Sequence, residues 1–143
     1  MSSSTQDDNL LFLFKGISIT FVLSAIFTGL HALIYPVHFS RDFGLPINKV
    51  VDDPGLSIST IHGTSYVSLM GVRQLATGLI LLVFAYQKKW IEMAVVLSVI
   101  GVLVAGTDAL FLAQAGKRGK ARYHAIPGLL IAMLAAAVWI RST

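Results

Sequence analysis

Four ionisable side chains fall within or at the ends of apolar stretches: His31, Arg73, Asp108 and His124. A carboxylate and a guanidinium can form a bidentate ion pair. A buried carboxylate beside a cation can also work as a general acid or base, and a histidine that titrates near neutrality can relay its proton. Arginine stays protonated in proteins, so Arg73 can stabilise negative charge or tune Asp108 but cannot be the acid. Two readings stand side by side. In one, Arg73 and Asp108 form a structural ion pair that fixes helix registry. In the other, Asp108, Arg73 and His124 are the catalytic groups of a site, since ionisable residues within membrane spans mark function by default. Translocon scales put Arg or Asp at about 2.5–3.5 kcal/mol each at a span centre, so either use must offset a cost.

The elements that must hold these residues follow from composition. The chain has 143 residues, of which 55% are hydrophobic and 13% charged, and its mean hydropathy is +0.76. A soluble domain carries about 25% charged residues. This balance excludes an ordinary soluble enzyme, a disordered chain and a nucleic-acid reader. There are no cysteines, which excludes disulfides and thiolate chemistry. The net charge of +4 suits loops beside lipid headgroups.

Four runs reach the roughly 20 residues that cross a bilayer as helix: about 16–34, 66–86, 90–114 and 124–140. They are too long and too continuous for barrel strands. The acidic start, with Asp7 and Asp8, does not suit a cleavable signal, so the first run reads as a retained helix. The expected fold is all-α: one four-transmembrane-helix bundle over residues 1–143, with a long, partly structured connection between the first two spans. Pro127 is expected in the first turn of the last helix, where its missing N–H matters little. Tyr35, Tyr66, Tyr86, Trp90, Tyr123 and Trp139 mark the headgroup levels.

Alternating helix directions turn sequence position into depth. The termini and the 87–89 turn fall on one side; the 35–65 connection and the 115–122 loop fall on the other. His31, Arg73, Asp108 and His124 all fall in the half nearer that second side, one per helix. The second side carries six Lys and Arg (Arg41, Lys49, Lys117, Arg118, Lys120, Arg122) against four on the first (Lys15, Lys88, Lys89, Arg141), which leans it towards the cytosol. The connection holds Pro36, Pro46 and Pro54 among apolar residues. It reads either as a lid on the bundle mouth or as a loop resting on headgroups.

Residues three or four apart share a helix face. Thr20, Ser24, Thr28 and His31 form one polar stripe. Tyr66, Met70, Arg73 and Thr77 line up on the second span, and Ser98, Gly101, Ala105 and Asp108 on the third. His124, Gly128, Ala132 and Ala135 line up on the fourth. Small faces let membrane helices approach closely or leave room for a ligand. Candidate binding residues are therefore His31, Tyr66, Thr77, Tyr123 and Thr28, although His31 also suits an interfacial ring and the tyrosines suit a belt. His38 and His62 read as solvated, and Glu92 as a complement to a helix N-terminus. His31, His62 and His124 lack metal-ligand spacing, so no metal and no cofactor is assigned. No GxGxxG, P-loop or GxSxG pattern occurs.

The order FGLP at 43–46, GVRQLATG at 71–78, GTD at 106–108 and YH at 123–124 resembles a domain-of-unknown-function family of small four-helix integral membrane proteins, common in fungi. The resemblance covers nearly the whole chain after Lys15 and rests on the order and spacing of short motifs. It makes Arg73, Asp108 and His124 the polar signature. Gln74 departs from the pattern by standing where an acid beside the Arg is expected. Some members belong to natural-product pathways alongside larger membrane cyclases. The resemblance thereby implies a cofactor-independent membrane isomerase or cyclase of the endoplasmic reticulum or another endomembrane. It would act on an apolar terpenoid- or polyketide-like substrate drawn from the bilayer, by isomerisation, cyclisation or epoxide opening. A homo-oligomer or a pathway enzyme is the expected protein partner, and nucleic acid is not. The alternative is a non-catalytic membrane module, a lipid or ligand binder or a partner subunit, in which the Arg–Asp pair is structural. A proton-coupled carrier lacks the paired broken helices such carriers use.

Overall fold

The computed structural model describes residues 3–44, 47 and 54–142, with side chains at 8–44, 47, 63–123 and 125–141. Among the described residues five helices follow one another: α1 (Ser3–Ile34), α2 (Pro36–Phe43), α3 (Pro54–Tyr86), α4 (Trp90–Gln114) and α5 (Arg118–Ser142). Among the described residues there is no strand. Within α1, α3, α4 and α5 lie four stretches long and apolar enough to cross a membrane: Asp8–Ile34, Gly63–Tyr86, Trp90–Gln114 and Arg118–Arg141. Phe12, Phe27, Leu103 and Ile140 are each more than 60% exposed. Large apolar surface of this kind needs a lipid or protein partner. The fold is all-α and the chain reads as an integral membrane protein.

The α4 limits fall where the apolar run ends. The other helices are longer than their hydrophobic runs, because helix formation is not confined to apolar residues. At α5 the difference has a consequence. Arg118, Lys120 and Arg122 extend the helix forward, so Pro127 lies inside α5 rather than in its first turn. There it removes one i→i−4 hydrogen bond. The long connection is shortened from both ends, by α2 and by the early start of α3 at Pro54. Leu45, Pro46 and residues 48–53 lie outside the described residues, and with them most of the expected lid.

The chain forms two compact units. The first comprises Met1–Val22 and Ile80–Thr143, and the second Leu23–Leu79. In the first, Phe14, Ser18 and Val22 of α1 are fully buried, as are Leu81, Met93, Leu97 and Leu112. The Ser18 hydroxyl has no hydrogen-bond partner among the described residues. The small faces of α4 and α5 meet. A Cβ at Gly101 would stand 2.5 Å from the Gly128 carbonyl oxygen and 2.8 Å from the Ala132 Cβ, and one at Gly128 would collide with Ala105. In the second unit the same device joins α1 to α3. A Cβ at Gly29 would stand 2.6 Å from the Leu75 nitrogen, and one at Gly71 2.9 Å from the Gly29 oxygen. Gly78 meets Ile26 and Ala25. Both glycines of GVRQLATG therefore seat α3 on α1.

These contacts make a sharp prediction within one helix. Gly101→Leu pushes α5 off α4 and costs at least about 2 kcal/mol. Gly106, whose added Cβ meets nothing within 4 Å, accepts leucine with an unchanged or raised melting temperature, because glycine is itself a poor helix former. Thermal melts of the two variants in one detergent test the difference.

Candidate functional site

The expected site residues are divided between the units. Arg73 belongs to the second. It stands two residues beyond Gly71, so it projects from a different face than the one against α1, and its side chain is exposed. Asp108 belongs to the first unit and is half-buried near the end of α4. The antiparallel contact of Gly101 and Ala105 with Ala132 and Gly128 sets the register. One turn further along α4 is Asp108, and one turn earlier on α5 is residue 124. The backbone thus brings positions 108 and 124 level. The His124 side chain, like that of His62, lies outside the described residues.

Four hydroxyls of the expected polar stripes bond to their own helices. Thr28 Oγ1 donates to the Ser24 carbonyl at 2.7 Å, Thr77 Oγ1 to Arg73 at 2.9 Å, Thr20 Oγ1 to Gly16 at 3.0 Å, and Ser98 Oγ to Ala94 at 2.9 Å. Back-bonding to the i−4 carbonyl gives a hydroxyl a partner within its own helix, which lowers the cost of placing it in an apolar span. Tyr66 and Tyr123 are largely exposed, as belt residues are. His31 is half-buried in an aromatic cluster, its ring centroid 6.0 Å from Tyr35 and 5.9 Å from Phe39.

The first unit contains a cleft at its other end. It measures about 290 Å³ and is walled by Leu10 and Leu11 of α1, Trp90 and Ile91 of α4, and Val138 of α5; Lys88, Glu92 and Arg141 complete the lining. Glu92 and Asp108 are separated by about 24 Å of α4 at 1.5 Å per residue. The Lys15 ammonium lies 5.3 Å from the centre of the Trp90 ring, a cation–π contact that sets the indole in the wall.

The turn that supplies Lys88 is unusual. The Lys88 N–H donates to Ala85 O at 3.1 Å, and the Lys89 N–H to Phe84 O at 2.9 Å. This is the double bond of a Schellman close, which wants a left-handed residue, usually glycine. Lys88 fills that place at φ 58°. The end of α4 is built the same way, with Gly116 donating to Ala113 O and Lys117 to Leu112 O, and there the left-handed residue is a glycine at φ 75°. A lysine with positive φ lining a cleft is strain kept at a candidate site. Sequence reasoning passed over this cleft. The legible signal was QKKW at 87–90, a helix break without the expected glycine.

Comparison with known proteins gives one match. No curated protein and no solved structure matches the chain. The profile of a domain of unknown function, DUF4267, matches residues 22–140. That stretch contains both glycine-mediated helix contacts, with Arg73 and Asp108, and most of the chain. The chain belongs to the DUF4267 family of domains of unknown function.

Proposed function

We propose that this protein is a membrane-embedded binder of anionic amphiphiles, the ligand-binding form of the non-catalytic reading. The cleft of the first unit carries the proposal. Five of its eight lining residues are apolar and three charged, Lys88 and Arg141 against Glu92, with Lys15 beside its Trp90 wall. The net excess is cationic. The volume is at the small end of the roughly 300–1,000 Å³ typical of small-molecule sites. It suits a short stretch of acyl chain with a carboxylate or phosphate head at Lys88 and Arg141. The strained lysine supports the reading, since a glycine would close the turn without strain but supply no cation.

The test uses Trp90 as reporter in a Trp139→Phe background. A brominated fatty acid is expected to quench its emission saturably, and the methyl ester of the same acid is not. Lys88→Gly and Arg141→Ala should each weaken the acid by about tenfold, roughly 1.4 kcal/mol, with the Lys88→Gly melting temperature held or raised. Equal quenching by acid and ester overturns the proposal.

A second reading is favoured by the half-buried Asp108 and by the α4–α5 register that levels it with residue 124. In it Asp108 gives or takes a proton, His124 relays it, and an apolar terpenoid-like substrate is isomerised, cyclised or opened at an epoxide. With a linear terpenoid epoxide as substrate, Asp108→Asn should lower turnover by at least about 100-fold. Unchanged turnover in Asp108→Asn removes this reading.

A further inference from the structure

His31, His38 and Asp42 stand seven and eleven residues apart. At 100° per residue, both intervals fall within about 20° of whole turns, so the three share one line along a helix. A straight helix would set His38 about 10.5 Å and Asp42 about 16.5 Å beyond His31 along the axis, too far to act together. Pro36 changes this. A residue before proline is pushed out of the α region, and Tyr35 takes φ −128° and ψ 59°. The hydrogen bonds on either side survive, Tyr35 N–H to His31 O at 2.8 Å and Phe39 N–H to Tyr35 O at 2.9 Å. The chain bends without unravelling. The His31 and His38 ring centroids come to 6.0 Å, and a donor atom from each of His31, His38 and Asp42 lies within 4.8 Å of the other two.

Ring packing surrounds His31, and hydrogen bonds engage His38. The His31 ring is flanked by Phe27, Tyr35 and Phe39 at centroid distances of 6.3, 6.0 and 5.9 Å. The His38 ring is bonded at both nitrogens. Nδ1 lies 3.1 Å from Asp42 Oδ2 and Nε2 lies 3.0 Å from Arg41 Nη2. A carboxylate accepts and a guanidinium only donates, so Nδ1 carries the proton and Nε2 accepts. That is a neutral imidazole, the form a metal requires.

We propose that His31, His38 and Asp42 form a binding site for a divalent transition cation of the zinc class. Two imidazoles and one carboxylate suit Zn²⁺ and Co²⁺, whereas Mg²⁺ and Ca²⁺ prefer all-oxygen sets. With metal–ligand bonds of about 2.0–2.1 Å, neighbouring ligands of a tetrahedron are about 3.3 Å apart. His38 Nδ1 and Asp42 Oδ2 are 3.1 Å apart as a hydrogen-bonded pair, so the two side chains lie near enough to reach one ion once that proton is displaced. The remaining closure falls to His38 and Asp42, whose side chains are 58% and 55% exposed and can turn. Three protein donors leave a fourth position for water or another ligand.

Arg41 is a built-in competitor. A metal on His38 Nε2 takes the lone pair that Arg41 now uses. A metal on Nδ1 moves the ring proton to Nε2, which then faces the guanidinium donor to donor. Either mode breaks the Arg41–His38 bond, so Arg41 and the cation exclude each other. The site lies wholly in the second unit and rests on none of the cleft residues.

The experiment uses the full chain in detergent, without a polyhistidine tag and stripped by chelator. Co²⁺ is titrated and followed by its visible d–d bands, with Zn²⁺ as the displacing ion. The expected result is one four-coordinate Co²⁺ per chain, displaced by Zn²⁺. His38→Gln and Asp42→Asn, each checked for helicity by circular dichroism, should weaken it by at least about tenfold. Arg41→Gln should tighten it several-fold, a gain that damage to the fold does not produce. Absence of the bands, their survival in His38→Gln, or weaker binding in Arg41→Gln overturns the proposal.

Discussion

The structure depends on backbone meeting backbone at small residues. In water, apolar burial would press these helices together. In a bilayer the lipid tails are as apolar as leucine, so helix association relies on close van der Waals contact. Many large residues are turned outward, as Phe12, Leu103 and Ile140 are, and the closest helix contacts are made by Gly29 and Gly71 in one unit and by Gly101 and Gly128 in the other. A side chain as small as a methyl group meets backbone at these points. Functional side chains must therefore sit where the close contacts end, at the helix ends and breaks.

Both candidate clusters sit at such places. At Lys88 the chain leaves α3 through a left-handed residue and returns at once in α4, so the cation stands beside Trp90 and Ile91. At Tyr35 the chain leaves α1 because Pro36 forbids the helical conformation before it, and resumes at once in α2. Each break is local, and the hydrogen bonds on both sides remain. A regular helix distributes its residues along 1.5 Å steps, and only a bend brings residues 31 and 38 into one shell.

Much of the fold was legible because a bilayer demands long apolar runs. Charge content and run length identified an all-α membrane chain, and the α4 limits fall where its apolar run stops. The small faces containing Gly101 and Gly128 were visible from spacing alone and meet in the structure. The starts of α1, α3 and α5 were hidden, since helices continue into polar sequence that no apolar period marks. Pro127 was misleading for that reason: basic residues before it carry α5 forward. The polar stripes of Thr28 and Thr77 were visible from spacing, but not that their hydroxyls donate to the turn before them. His38 and Asp42 were assigned to a loop, and only the bend at Tyr35 makes their spacing from His31 meaningful. The cleft was hidden because Leu10 and Leu11, Trp90 and Arg141 are distant in sequence and have no shared period.

The family match covers the helix contacts but only part of the cleft. Residues 22–140 contain the two glycine-mediated helix contacts and all three of His31, His38 and Asp42. The cleft crosses that boundary. Trp90, Lys88 and Glu92 lie inside the matched stretch, while Leu10, Leu11 and Arg141 lie outside it. One apolar wall and one of its two lining cations thus come from the chain's ends. The matched stretch contains the close-set helices and the turn holding Lys88. The terminal segments close that turn into a cleft and add Leu10, Leu11 and Arg141 to its lining.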